Sequence, residues 1–150
     1  MLLWRISNYA TLDGQGGLLA SARWHTRGRP VVYLAATPAG ALVEALVHLE
    51  LGVDELPETY KLLKAECPDN VSVLPVEEAS LPEDWRSDEL VTRSVGDAWL
   101  AQGRSALLSA PSAVLPETLN FLLNPRHLQA AKARIVWHRE FRYDPRLFRK

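Results

Sequence analysis

The chain has 150 residues, of which 47% are hydrophobic and 23% charged, so it can form a single domain with its own core. A net charge of −1 excludes a global field that would attract nucleic acid or a membrane surface. The lone cysteine, Cys67, excludes an intrachain disulfide, and the first residues lack the pattern of a secretory signal. No apolar run approaches the ~18 residues of a membrane span. We therefore expect residues 1–150 to form one soluble, cytoplasmic domain that makes no membrane contact.

Two strands are predicted in the first quarter of the chain, at Leu2–Ile6 and at Val31–Ala36. Arg5 interrupts the first apolar run, and a half-buried guanidinium needs an anionic partner. That partner is either a protein carboxylate or a ligand phosphate. The glycines of Asp13–Gly17 would let backbone approach a ligand, but this loop lacks the spacing and the lysine of a P-loop.

A helix is predicted over Pro38–Leu51, with Thr37 as its N-cap and Gly52 just after its end. Glu44 lies close to the apolar face of this helix, and His48 follows one turn later on the same side. A glutamate and a histidine could begin a metal site, but no third ligand is spaced to complete one. We expect no metal and favour a surface contact for the pair.

The rest of the chain alternates short strands with helices. Strands are predicted at Tyr60–Ala65, Val71–Leu74, Ser105–Ser109 and Arg134–Phe141, and a helix at Leu90–Ala101. Strands near both ends, with helices between, indicate an α+β fold of mixed, short-stranded sheets with flanking helices.

Small polar residues and prolines mark the segment 109–127. Pro111 and Pro116 cannot donate to a strand ladder, and Glu117–Leu123 is predicted to form one or two helical turns. Asn124 precedes a proline, which ends those turns. Ser112 would then lie where a strand ends, either facing a ligand or bonding the backbone of a turn.

Four motifs in this order resemble the RES domain: Trp4-Arg5; Ala22-Arg23-Trp24; Val32–Ala35 followed by Ala41–Glu44; and Pro111–Val114 followed by Asn120–His127. That family is named for an arginine, a glutamate and a serine. It supplies the toxin of bacterial toxin–antitoxin pairs whose antitoxin has a Xre-type helix-turn-helix. The resemblance implies a fold similar to mono-ADP-ribosyltransferases and action on NAD as substrate, by degradation or by transfer of ADP-ribose to a target protein. DNA would be contacted only through the antitoxin.

The resemblance also implies a set of site residues. It implies catalytic roles for Glu44, Ser112, Arg23 and Tyr33, and NAD contacts for Arg5, Arg23, Tyr33, Ser112 and Asn124. A fixed carboxylate suits Glu44, because the ribose develops oxocarbenium character when nicotinamide leaves. An arginine suits a pyrophosphate, and both Arg5 and Arg23 lie in matching motifs. A tyrosine suits the flat nicotinamide ring.

The serine is expected to orient the ribose or the carboxamide rather than to attack, because no histidine base is paired with it. In better-known ADP-ribosyltransferases with an arginine, a serine and a glutamate, the glutamate comes last. Here Glu44 precedes Ser112, so roles do not transfer by chain order. Water, phosphate or a protein side chain remain open as the acceptor of ADP-ribose.

Two other classes of function compete with an NAD-consuming toxin. The basic tail from Lys132 to Lys150 could serve a nucleic-acid-binding or ribonuclease-type toxin. Alternatively, Arg5, Arg23 and Glu44 could form a buried ion network in an interaction domain without enzymatic activity.

Overall fold

A computed structural model describes residues 1–49 and 59–148. The described strands are β1 Leu2–Ser7, β2 Val32–Ala35, β3 Lys61–Glu66, β4 Val73–Pro75, β5 Leu107–Pro111, β6 Leu119–Leu123 and β7 Arg134–Glu140. The described helices are α1 Gln15–Leu19, α2 Pro38–His48 and α3 Glu89–Gln102. Short 3-10 turns lie at Glu78–Ser80, Leu128–Lys132 and Pro145–Phe148.

The seven described strands form one sheet in the order β4-β5-β6-β2-β1-β3-β7. The β4–β5 pair is parallel and every other pair is antiparallel. A mixed sheet with flanking helices confirms the predicted α+β class.

The sheet is poorly joined at its centre, between β1 and β2. Strand β1 pairs with β3 along its whole length, yet it meets β2 at the single pair Trp4–Ala35. Beyond that pair the two strands diverge. A gap opens in the middle of the sheet, where a ligand could reach strand residues from the side.

The two faces of the sheet bury different side chains. One face is mainly aliphatic, with Leu3, Leu34 and Leu107 in its core. On the other, Trp24 and Trp99 of α3 belong to one buried cluster. This helix approaches very closely, because a Cβ built on Gly96 would lie 1.7 Å from the carbonyl oxygen of Trp24. Only glycine permits that contact, and it fixes the 22–25 segment against the sheet.

Most predicted elements are confirmed, with bounds shifted by one or two residues. Thr37 caps α2 as predicted, since its Oγ1 accepts a hydrogen bond from the Gly40 N–H at 2.9 Å. The prediction that this helix runs to Leu51 is wrong, because α2 ends at His48 and Leu49 is already extended. Leu51 and Gly52 themselves lie outside the described residues.

The prediction of helical turns at Glu117–Leu123 is wrong, because Leu119–Leu123 forms β6. This strand lies between β5 and β2 and pairs with both. The sequence Leu-Asn-Phe-Leu-Leu suits a helical turn locally. Hydrogen bonds on both edges, together with burial of Phe121 and Leu122 on opposite faces, favour the extended form.

The basic tail does not form a free cationic arm. Its first part is the edge strand β7, where Arg134 pairs with Glu66 at 2.5 Å, and Arg146 further on pairs with Asp144 at 2.7 Å. Two of its arginines thus have carboxylate partners, and its first part belongs to the sheet rather than to a separate phosphate-tracking arm. Within the described ranges, no helix is both long and apolar enough to cross a membrane.

Candidate active site

A cavity of about 240 Å³ opens where β1 and β2 diverge. Its lining comprises Trp4, Arg5, Ile6, Ala22, Tyr33, Leu34, Ala35, Ala41, Glu44, Ala45, His48, Tyr60 and Asn120. Consecutive residues of β1 and of β2 line it. Because neighbouring side chains of a strand point to opposite faces, the cavity lies between the two strands as well as beneath α2. Ligand pockets commonly measure about 300–1,000 Å³, so this cavity suits part of a dinucleotide.

Glu44 projects from α2 into this cavity, and two side chains hold its carboxylate. Its Oε1 accepts hydrogen bonds from Ser112 Oγ and from Asn120 Nδ2, both at 2.7 Å. Both donors come from the 112–120 segment around the start of β6. With Oε1 engaged, Oε2 makes no hydrogen bond to the described residues. The carboxylate therefore presents one fixed oxygen toward the cavity.

Ser112 lies behind Glu44 and is almost fully buried, at 2% exposure. Its hydroxyl donates to Glu44 and accepts from the N–H groups of Val114 at 3.1 Å and Leu115 at 3.2 Å. A serine hydroxyl has one donor and two acceptor positions, and all three are in use. Ser112 is not among the lining residues, so the geometry favours a positioning role over direct contact with a substrate.

Tyr33 forms a wall of the cavity and is locked by a chain of hydrogen bonds. Its hydroxyl accepts from the Trp24 N–H at 3.1 Å and contacts His25 Nδ1 at 2.9 Å. His25 Nε2 lies 3.3 Å from the Gly17 carbonyl. A carbonyl can only accept, so Nε2 carries the proton, and Nδ1 accepts from the tyrosine hydroxyl. Burial raises the pKa of Tyr33, which keeps the donor protonated.

Acid should break this chain, because it needs a neutral His25. Burial of the ring lowers the pKa of His25 below its ordinary value, despite the hydrogen bond to Gly17. With a folded-state pKa below the unfolded value of about 6.5, the stabilisation is complete above that pH and is lost as pH falls below it. We expect the free energy of unfolding to fall between pH 7.5 and 5.5, and part of that fall to come from protonation of His25.

Urea denaturation at the two pH values measures this effect. In His25→Gln the pH-dependent loss should shrink, whereas His138→Gln, on the exposed strand β7, should behave as wild type. An unchanged pH dependence in His25→Gln would exclude a neutral, buried imidazole.

Arg5 supplies positive charge to the cavity. Its only hydrogen bond to the described residues is a 3.5 Å contact from Nη1 to the Thr11 carbonyl, and none of their carboxylates lies within ion-pair distance. Burial lowers the pKa of Arg5 and the charge of Asp13 partly offsets this, yet an arginine stays protonated at neutral pH. A half-buried guanidinium with so little compensation is suited to an anionic ligand.

Besides Ser112, two predicted site residues, Arg23 and Asn124, lie outside the cavity lining. The Arg23 guanidinium donates to the Arg86 carbonyl at 3.0 Å and lies 3.8 Å from Glu89. Asn124 follows the far end of β6, ~13 Å along the strand from Asn120, and its side chain accepts from the Arg126 N–H. The structure thus brings Arg5, Tyr33, Glu44 and Ser112 together at the cavity. Arg23 and Asn124 lie away from it and bond to other parts of the protein.

The alternative of a buried ion network is not what the geometry shows. Arg5, Arg23 and Glu44 contact separate partners: a carbonyl, a carboxylate of α3, and two neutral side chains. Glu44 lies at a cavity wall, and no cation among the described residues is bonded to it.

Sequence reasoning missed three polar residues that line the cavity: Asn120, His48 and Tyr60. Asn120 was part of a motif, but its role depends on β6 being a strand. His48 was expected at a surface contact with Glu44, and both instead face the cavity. Tyr60 carried no signal, because it precedes an ordinary strand. Within residues 1–49 and 59–148, no three metal-ligating side chains come together.

These features define an α+β domain with one fixed carboxylate, an arginine and an aromatic wall in a cleft between splayed strands. The chain belongs to the RES domain family, whose model matches residues 2–144. It is 48% identical over 151 residues to Toxin Res of Pseudomonas putida, covering 99% of this chain and all of that protein. It is 38% identical to the Prs ADP-ribosylating toxin of a Sphingobium species, covering 98% of this chain and 96% of that one.

The fold is also that of a chain in a solved toxin–antitoxin complex. The crystal structure of the Mycobacterium tuberculosis MbcT–MbcA toxin–antitoxin complex contains a chain that superposes with a TM-score of 0.75. The match covers 98% of this chain and 86% of that one. Because the identity is 18%, it shows similarity of fold. The predicted membership of the RES family is confirmed.

Proposed function

We propose that this chain is the toxin of a toxin–antitoxin pair and that it cleaves the bond between nicotinamide and ribose in NAD. The observation that carries the proposal is the Glu44 carboxylate, held by Ser112 and Asn120 in one cavity with Tyr33 and Arg5. The names of two relatives, Toxin Res and Prs ADP-ribosylating toxin, support it.

The chemistry follows from the charges. When the glycosidic C–N bond breaks, its electron pair leaves with neutral nicotinamide, and the ribose C1′ becomes cationic. The free oxygen of Glu44 stabilises this cation, because the carboxylate is already oriented and need not reorganise. An acceptor oxygen then adds to C1′ and loses its proton. Tyr33 stacks with the nicotinamide ring, and Arg5 binds the pyrophosphate.

The proposed partner is a Xre-type helix-turn-helix antitoxin that covers the cavity. Similarity to a chain of a toxin–antitoxin complex supports a protein partner of this kind. DNA would then be reached only through the antitoxin, in the cytoplasm. ADP-ribose passes to water, to phosphate or to a target protein.

Cellular NAD content after induction of the chain without its antitoxin tests the function. We expect NAD to fall within minutes for the wild type and to hold for Glu44→Gln. The matched control is Glu117→Gln, the same change at an exposed position, which should deplete NAD as the wild type does. Steady NAD together with continued growth would exclude the proposal. Steady NAD with growth arrest would restrict the proposed activity to modification of a scarce target protein.

The two arginines should respond differently to replacement by lysine. Arg5→Lys keeps the charge but loses the fork that matches a pyrophosphate, so we expect the KM for NAD to rise about tenfold. Arg23→Lys should leave KM within about twofold of wild type, because Arg23 bonds the Arg86 carbonyl and Glu89. Nicotinamide release measures both variants, whatever the acceptor. A larger rise in KM for Arg23→Lys than for Arg5→Lys would instead assign pyrophosphate binding to Arg23.

A further inference from the structure

A row of side chains leads from the cavity to the edge of the sheet. Trp4 on β1 lies opposite Ala35 of β2 on one side and Lys64 of β3 on the other. Lys64 in turn lies opposite Trp137 of β7. Directly opposed residues of neighbouring strands share a face. Trp4, Lys64 and Trp137 therefore form one row, here called the tryptophan row, on the face to which Ala35 points.

The tryptophan row is continuous with the cavity. Trp4 and Ala35 line the cavity, and Trp137 lies two strands further out, ~10 Å away at ordinary strand spacing. The indole rings of Trp4 and Trp137 meet edge to face, with centroids 5.7 Å apart and planes at 76°. The rings thus hold each other in place, while Trp137 stays 38% exposed.

Lys64 gives the row a positive charge. Its Nζ lies 5.5 Å from the centroid of the Trp4 ring, and none of the described carboxylates pairs with it. An exposed indole beside an uncompensated ammonium suits a ligand that carries both a flat ring and a phosphate.

We propose that the tryptophan row binds the adenosine half of NAD, with adenine stacked on Trp137 and the adjacent phosphate facing Lys64. This proposal rests on the proposed function and adds a subsite to it. A cavity of about 240 Å³ suits only part of a dinucleotide, so the remainder must lie along the surface next to it. The tryptophan row begins at the cavity wall and offers the two chemical groups that this remainder needs. Its contribution would be to substrate binding, remote from the bond that breaks.

Titration calorimetry with two fragments of the substrate tests the proposal without requiring turnover. ADP-ribose contains adenine, whereas nicotinamide mononucleotide does not. We expect Trp137→Ala to weaken ADP-ribose binding about tenfold and to leave nicotinamide mononucleotide binding unchanged, since stacking is lost only for the first. Trp137→Phe should retain most of the affinity, which keeps the test valid if the alanine variant folds poorly. The matched control is Val136→Ala, at a 47% exposed neighbour whose side chain alternates to the other face.

The outcomes separate the subsite from the function. If wild type binds ADP-ribose and Trp137→Ala binds it equally well, the subsite is wrong and the NAD site stands. Equal weakening of both fragments would also overturn the subsite, because it would indicate a general structural defect. If wild type binds neither fragment, the proposed function itself fails.

Discussion

Replacing Glu44 by glutamine is expected to lower the kcat of NAD cleavage by about 10²–10³-fold, the range for removing one preorganised electrostatic group from an active site. Glutamine has nearly the same size and keeps an acceptor oxygen for Ser112 and Asn120, so the substitution removes only the negative charge. KM should change little, because the cation that the carboxylate stabilises develops only in the transition state.

The melting temperature distinguishes this result from simple unfolding. Glu44 is half-buried at a cavity wall with two neutral donors, and the amide can accept from both. We expect Glu44→Gln to melt within a few degrees of wild type. Glu117→Gln should match wild type in both rate and melting temperature. If Glu44→Gln had the wild-type kcat, the carboxylate would have no part in the mechanism.

Local sequence patterns predicted most elements, because their signals are contained within short segments. The helix start at Thr37-Pro38 needs only a capping side chain and a proline, and both act within one turn. Strand β6 was missed for the opposite reason. Its conformation is decided by pairing on both edges, with β5 just before it in the chain and with β2, which is distant in sequence.

The candidate site was predicted in part, through resemblance to a family. That resemblance drew attention to Glu44 and Ser112, but it could not place one relative to the other. The hydrogen bonds that join Glu44 to Ser112 and Asn120 span 68 and 76 residues. Only the folded sheet shows that the serine lies behind the glutamate.

The choice between the two arginines illustrates the same limit. Arg5 and Arg23 each lie next to a tryptophan in a motif, and their local sequences do not rank them. The divergence of β1 from β2 gives Arg5 access to the cavity, whereas contacts with Glu89 and the Arg86 carbonyl occupy Arg23. Both facts depend on tertiary structure.

Replacing Ser112 by alanine should reduce both activity and stability. Two backbone N–H groups would lose their acceptor, and the resulting desolvation cost lowers the free energy of unfolding by about 1–3 kcal/mol. The Glu44 carboxylate would lose one of its two donors, so we expect kcat to fall about 10–100-fold with a small change in KM. Ser109→Ala, at a buried serine of β5 outside the cavity lining, is the matched control.

A double-mutant cycle decides whether the serine acts through the glutamate. If Ser112 only orients the Glu44 carboxylate, adding Ser112→Ala to Glu44→Gln should lower kcat by less than about threefold, because the oriented charge is already gone. If the hydroxyl instead contacts the ribose or the carboxamide itself, the two losses should multiply, and the double variant would fall the full 10–100-fold below Glu44→Gln. The three hydrogen bonds that occupy the Ser112 hydroxyl favour the first result, since binding a substrate through this group would require breaking one of them.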